Sequence, residues 1–259
     1  SNSELKKDIE AYMTKIQDIN AKLRTVKMES LKTIDSIDTQ IREKQNEVKD
    51  IKHGRTNFLR NFDNNMEHLI KEISNNKSKF DNLPIGPLGN YVSIKSGYEK
   101  WAPSIQRYMT TTLSSFVVSS HRDNGLLRQL MKKCNVRSSN FSIINYKLQN
   151  AHFFDNNKLN QKYPTILDAL DFIDGNLAAV FVDMNKIDRV LLIENMSEAR
   201  KFLLENGGDT KVALSIRDNN YGYQLTGGTR IDSVKYQDKI RVKVGTSSED
   251  NIAYINTVI

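Results

Sequence analysis

IEAYMTKIQDINAKLRTV, residues 9–26, sets Ile9, Ile16 and Leu23 seven apart, with Tyr12, Ile19 and Val26 three positions further on. Apolar residues in that 3-4 alternation form the a/d stripe of a coiled coil, and they decide between long helix and disorder for the first third of the chain. The stripe jumps from Leu23 to Ile34, a four-residue stutter, and resumes through Ile37, Ile41, Val48 and Ile51. A weak point follows at His53-Gly54, and either an elbow or a docking site fits these two interruptions. Beyond it Phe62, Met66, Leu69, Ile73 and Phe80 are expected to carry the seam onward. Punctuation agrees, because all four prolines and eleven of the twelve glycines lie after residue 83. A helix over residues 1–80 would reach on the order of 110 Å and would need a partner strand to be stable.

From Asp81 onward short apolar runs alternate with Gly, Pro, Asn and Asp, the pattern of a mixed α+β body. Strands are expected at 91–94, 115–120, 141–144, 178–182, 189–193, 212–216 and 239–244. Helices are expected at 101–108, 126–133, 166–173 and 197–205. The polar stretch 146–163 reads as a connection between subdomains at about 81–145 and 164–245. Thr246-Ser-Ser-Glu249 resembles a capping box, and Ile252, Ile255 and Ile259 begin a new stripe, so a return helix is expected over 246–259. The architecture is a helical arm, a compact body over 81–245 and a returning arm, which makes an antiparallel coiled coil interrupted by a domain.

Composition limits the chemistry. Hydrophobic residues make up 38% and charged residues 27%, no run of eighteen apolar residues suggests a membrane span, and no secretory pattern opens the chain, so a soluble intracellular protein is expected. The lone Cys134 reads as a reduced structural thiol. His53, His68, His121 and His152 are scattered, and no metal or nucleophile motif contains them. Asp168, Asp171 and Asp174 recur every three residues and read as the wet face of a short helix. No catalytic residue, metal or cofactor is expected in this stretch, and a nucleotide-binding enzyme is disfavoured because no GxxxxGK[ST] loop occurs; Gly207 to Lys211 has the wrong spacing.

The net charge of +7 points to an anionic partner, most commonly nucleic acid. It is segregated: residues 95–147 hold nine basic side chains (Lys95, Lys100, Arg107, Arg122, Arg128, Lys132, Lys133, Arg137, Lys147) against Glu99 and Asp123, whereas 155–209 hold six basic and ten acidic. Arg128 and Lys132 lie four apart on one helix face, a spacing suited to neutralising phosphates. Within the basic segment Tyr98 is the better candidate for base stacking, Tyr108 is a further one, and Trp101 reads as a core anchor.

Several stretches of the body carry a family resemblance: LPIGPLGNYVSIK (83–95), KWA (100–102), LLRQLMKK (126–133), YPTILDAL (163–170), the run 180–204 with its RVLLIENMSEAR core (189–200), and GYQLTGG (222–228). They resemble the hinge of structural maintenance of chromosomes (SMC) proteins, and within that family the class of subunit six. The resemblance implies a two-subdomain hinge that forms a heterodimer with the hinge of subunit five, in a nuclear, chromosome-bound complex acting in DNA repair and recombination. It also implies binding of DNA, single strands preferred and double strands possible in principle, non-SMC subunits on the arm, and ATPase heads at the far ends of the arms. Gly222, Leu225, Thr226, Gly227 and Gly228 would form one interface edge, where glycine lets a neighbouring backbone approach, and the strand of Phe116 and Val118 the other. The DNA-binding set would be Lys95, Lys100, Arg107, Arg122, Arg128, Lys132, Lys133, Arg137 and Tyr98. The turn 217–221 looks shorter than in other SMC hinges. The alternative is a purely structural tether, the same dimer without direct contact to DNA.

Overall fold

The computed structural model describes residues 2–137, 141–148, 162–206, 212–236 and 244. The chain divides into two compact units, residues 1–53 and 54–259.

The first unit is helix alone, most of α1 (Asn2–Arg60). Its stripe is exposed throughout, from Ile9 and Tyr12 to Ile41 and Val48. Thr14, Thr25, Thr33 and Thr39 turn their hydroxyls back onto carbonyls four residues earlier, which satisfies each hydroxyl within the helix.

In the second unit α1 ends at Arg60, and a turn leads to α2 (Met66–Asn75). The side chains expected to prolong the arm's seam do something else. Phe62, Met66, Leu69, Ile73 and Phe80 are buried, together with Leu59, in one cluster with Leu127, Leu130 and Met131 of α5 (His121–Lys133). Helical spacing alone does not distinguish a coil seam from a helix packed on a globular neighbour.

Two strands explain how one unit holds three clusters. In β2 (Phe116–Val118), Phe116 and Val118 enter the cluster with α2 and α5, while Val117 enters the central one. In β5 (Val190–Leu192), Val190 and Leu192 face the central cluster, while Leu191 joins Ala199, Leu203, Ala213 and Leu225. Successive side chains of a strand point to opposite faces, so a strand covered on both sides must be apolar at every position, as FVV and VLL are.

The sheets are small. β1 (Val92–Ile94) pairs antiparallel with β4 (Leu170–Phe172), and β2 pairs parallel with β3 (Ile143–Asn145). β5, β6 (Val212–Ile216), β7 (Tyr221–Thr226) and β8 (Arg230–Lys235) form a four-stranded sheet in that order. Helices α3 (Ala102–Tyr108), α4 (Thr110–Leu113), α6 (Gly175–Asn185) and α7 (Met196–Asn206) complete the body. Tyr146, just past β3, donates its hydroxyl to Asp183 of α6 at 2.6 Å; that bond, with burial behind it, pushes the phenol's pKa up to about 12.

Two expected elements are corrected. The run 178–182 is not a strand but the middle of α6, capped by Asp174, whose carboxylate accepts from the Asn176 amide at 2.9 Å. Its buried residues Leu177, Ala178, Val180 and Phe181 sit at helical spacing. Residues 166–173 are not a helix but a 3-10 turn and β4. The three aspartates therefore share no face: Asp168 accepts from the Thr165 amide at 2.9 Å, Asp171 faces Lys95 at 4.0 Å, and Asp174 caps α6. The expected strand 239–244 lies outside the described residues except for Val244, as does the return helix 246–259.

Asp123 fastens the body's entry to α5. Ser120 caps this helix by accepting from the Asp123 amide, and the fully buried Asp123 carboxylate accepts from the amides of Asp81 at 2.8 Å and Asn82 at 3.1 Å. Burial pushes its pKa up, but those amides and the hydroxyls of Ser120 and Ser119 more than reverse this, and the net shift is downward. Asp123→Asn puts an amide group where an acceptor is needed and is expected to cost about 2 kcal/mol at neutral pH. Because the native pKa lies below the unfolded value of about 3.9, the carboxylate's contribution is complete above that pH and is lost as pH falls through the native value. Urea unfolding should show wild type and variant well separated at pH 7 and converging in strong acid; a constant gap would refute this role.

Candidate functional site

Helix α5 is the longest element of the basic segment. Leu127, Leu130 and Met131 are buried on one side, and Arg128 and Lys132 are exposed on the other, one turn apart. Arg128 Nε is steadied by Asn124 Oδ1 at 2.9 Å, and Asn124 reaches Asn145 at the end of β3. Neither Arg128 nor Lys132 has an ion-pair partner among the described residues.

Folding sorts the other expected cations. Arg122 holds Asp81 at 2.8 Å, Lys100 reaches Glu194 of the acidic segment at 2.5 Å, and Lys133 reaches Glu72 of α2 at 2.5 Å. Lys95 faces Asp171. The hydrogen bond and charge of Glu72 hold the Lys133 ammonium above the usual lysine range. The cations of these pairs are solvent-exposed and the pairs of modest strength, yet each gives its cation a competing carboxylate, that of Glu72 being partly buried. Arg107 on α3 and Arg137 beyond α5 are exposed, with no carboxylate partner among the described residues. Lys147, just past β3, is exposed. Trp101 is in the central core at 4% exposure, and Tyr98 and Tyr108, both half-buried, pack against that core.

The expected interface residues are placed differently from the sequence reading. Phe116 and Val118 are buried, and β2 has neighbours on both sides: β3, and Ile85, which exchanges two backbone hydrogen bonds with Val117. β7 likewise runs between β6 and β8, Leu225 is fully buried, and Gly222 lies beneath the Tyr236 ring. Thr226 pairs with Arg230, and Gly227 and Gly228, with φ of 62° and 72°, make the hairpin turn into β8. The glycine motif thus builds a hairpin rather than an open edge. Among the described residues the strands with an outer edge free of any strand neighbour are β1, β3, β4 and β8. Sequence reasoning missed β8, although a glycine pair followed by a short run holding the β-branched Ile231 and Val234 is a hairpin signal. Among the described residues no group of three or more His, Cys, Asp or Glu could hold a metal, and no helix is long and apolar enough to cross a membrane.

A long N-terminal helix and a mixed α/β body with small sheets match the hinge fold of SMC proteins. A crystal structure described as the S. pombe Smc5/6 hinge domain superposes with a TM-score of 0.64 at 22% identity, covering 95% of this chain and 93% of that one. The sequence places it further: the chain belongs to the SMC family, in the class of protein 6. It is 39% identical over all 259 residues to Structural maintenance of chromosomes protein 6 of Saccharomyces cerevisiae, and 25% identical over 202 residues, 77% of the chain, to that of Schizosaccharomyces pombe. It spans 23% of the former's length and 17% of the latter's. No protein-family model matches the chain.

Proposed function

We propose that this hinge pairs with the hinge of SMC subunit five in a nuclear chromosome-maintenance complex acting in DNA repair and recombination, and that it binds DNA, preferably single-stranded, through the outer face of α5. The expected arm 1–80 shortens, because Leu59 to Phe80 pack into the body; residues 1–58 and 246–259 act as the paired arms and the rest as the hinge, with non-SMC subunits on the arm. The Smc5/6 title of the superposed hinge supports the partner. The observation that carries the DNA reading is the pair Arg128 and Lys132, exposed, one turn apart and without a carboxylate partner among the described residues. A partner strand would add to one of the open edges, those of β1, β3, β4 and β8, rather than to β2 or β7.

Two measurements test this. Light scattering should give a one-to-one complex when the chain is mixed with a subunit-five hinge, and a chain that stays alone would overturn the partner. Single-stranded DNA affinity should fall steeply between 50 and 200 mM salt, and Arg128→Glu with Lys132→Glu should weaken it about thirtyfold at the lower salt. A tether without DNA contact would show neither effect.

A further inference from the structure

Beside the four-stranded sheet, a cleft of about 460 Å³ opens between α3, the end of α6 and strands β6 to β8. Tyr108, Met184 and Val234 form apolar walls, Gln224 adds an amide, and Arg107 and Lys186 bring two exposed cations. None of the lining residues is acidic, although Met184, Asn185 and Lys186 come from the carboxylate-rich segment 155–209, and neither cation has an ion-pair partner among the described residues. The Tyr108 ring is anchored, because its hydroxyl donates to the Asn185 carbonyl at 3.2 Å. Asn185 also lines the cleft, and its buried Oδ1 has no hydrogen-bond partner.

Lys186 is the least expected of these residues. It ends α6 with φ of 56°, the left-handed conformation that glycine adopts without penalty. Keeping a lysine there places a positive charge at the cleft at some conformational cost.

We propose that this cleft holds a nucleoside 5′-phosphate unit, with the base against Tyr108 and the phosphate between Arg107 and Lys186. The volume suits a ligand of that size, and the combination of flat apolar wall, amide and uncompensated cations matches base and phosphate together. The unit is either a free nucleotide or one residue of a bound strand. The second source rests on the DNA-binding reading above, but the site is separate from it, since no α5 residue lines the cleft.

The test uses a fluorescein-labelled twelve-residue oligothymidylate, thymidine 5′-monophosphate, thymidine and inorganic phosphate, titrated against wild type, Arg107→Ala, Lys186→Gly and the α5 double charge reversal. Lys186→Gly removes the cation and relieves the left-handed strain, so its thermal midpoint should equal or exceed wild type, and any binding loss is not unfolding. Each cleft variant is expected to weaken the oligonucleotide about tenfold, and the monophosphate should bind more tightly than thymidine or phosphate alone. Monophosphate binding that Lys186→Gly weakens, without oligonucleotide binding, assigns the cleft to free nucleotide and overturns the strand reading instead. If both cleft variants match wild type toward the oligonucleotide and the monophosphate does not bind, the inference is wrong, and loss in the α5 variant alone leaves the DNA reading standing.

Discussion

Phe116→Ala is expected to lower the stability of the isolated chain by about 4 kcal/mol, with its secondary structure and denaturant slope retained. The ring is fully buried and meets Phe141 edge-on at 6.2 Å between centroids. Its other side touches the backbone: a methyl group built on Gly86 would lie 2.5 Å from Phe116 Cδ1, so the chain passes there with no side chain between. The space left by the ring cannot close cheaply, because β2 is held by β3 on one side and Ile85 on the other. Loss of transfer energy and the residual cavity therefore add. An interface residue would behave otherwise, with association weakened and the isolated chain as stable as before. Urea unfolding followed by far-UV circular dichroism decides between them; a loss below about 1 kcal/mol would return Phe116 to the interface.

That contrast shows what a sequence can and cannot convey. The stripe from Ile9 to Val26 was legible because its period is fixed by helix geometry and by nothing else in the fold. The strands FVV and VLL were legible because burial on both faces leaves no polar position. The same logic misled at 178–182, where α6 buries four apolar residues within five positions and so imitates a strand. It misled again from Phe62 to Phe80, since a stripe facing α5 and a stripe facing a second coil strand are written alike. Segment charge counted cations correctly but not their partners: Glu194 lies 94 residues from Lys100, and Glu72 lies 61 from Lys133. Only the fold brings those carboxylates close, and it leaves Arg128 and Lys132 as the pair on α5 without one among the described residues.

The glycine motif gives the second large effect. Gly222→Ala is expected to cost about 3 kcal/mol, through overpacking rather than lost backbone freedom. A Cβ at Gly222 would lie 1.9 Å from the Tyr236 hydroxyl oxygen and 2.7 Å from the Ser215 carbonyl oxygen of the paired strand β6. Tyr236 cannot simply turn away. It is 4% exposed, its amide bonds to the Asn220 carbonyl at 2.7 Å, and its hydroxyl shares a buried hydrogen bond of 2.5 Å with Ser104 of α3. Moving the ring would break that tie between the sheet and α3; moving the strand would disturb the β6–β7 pairing from Val212 to Ile216. Tyr236→Phe removes the oxygen that is hit hardest, so in the Gly222→Ala background it should recover part of the loss, even though alone it costs about 1 kcal/mol by orphaning the Ser104 hydroxyl. A double-mutant cycle in urea measures this coupling directly. If the two losses add, Gly222 does not act through Tyr236, and the requirement for glycine lies in another feature of the hairpin.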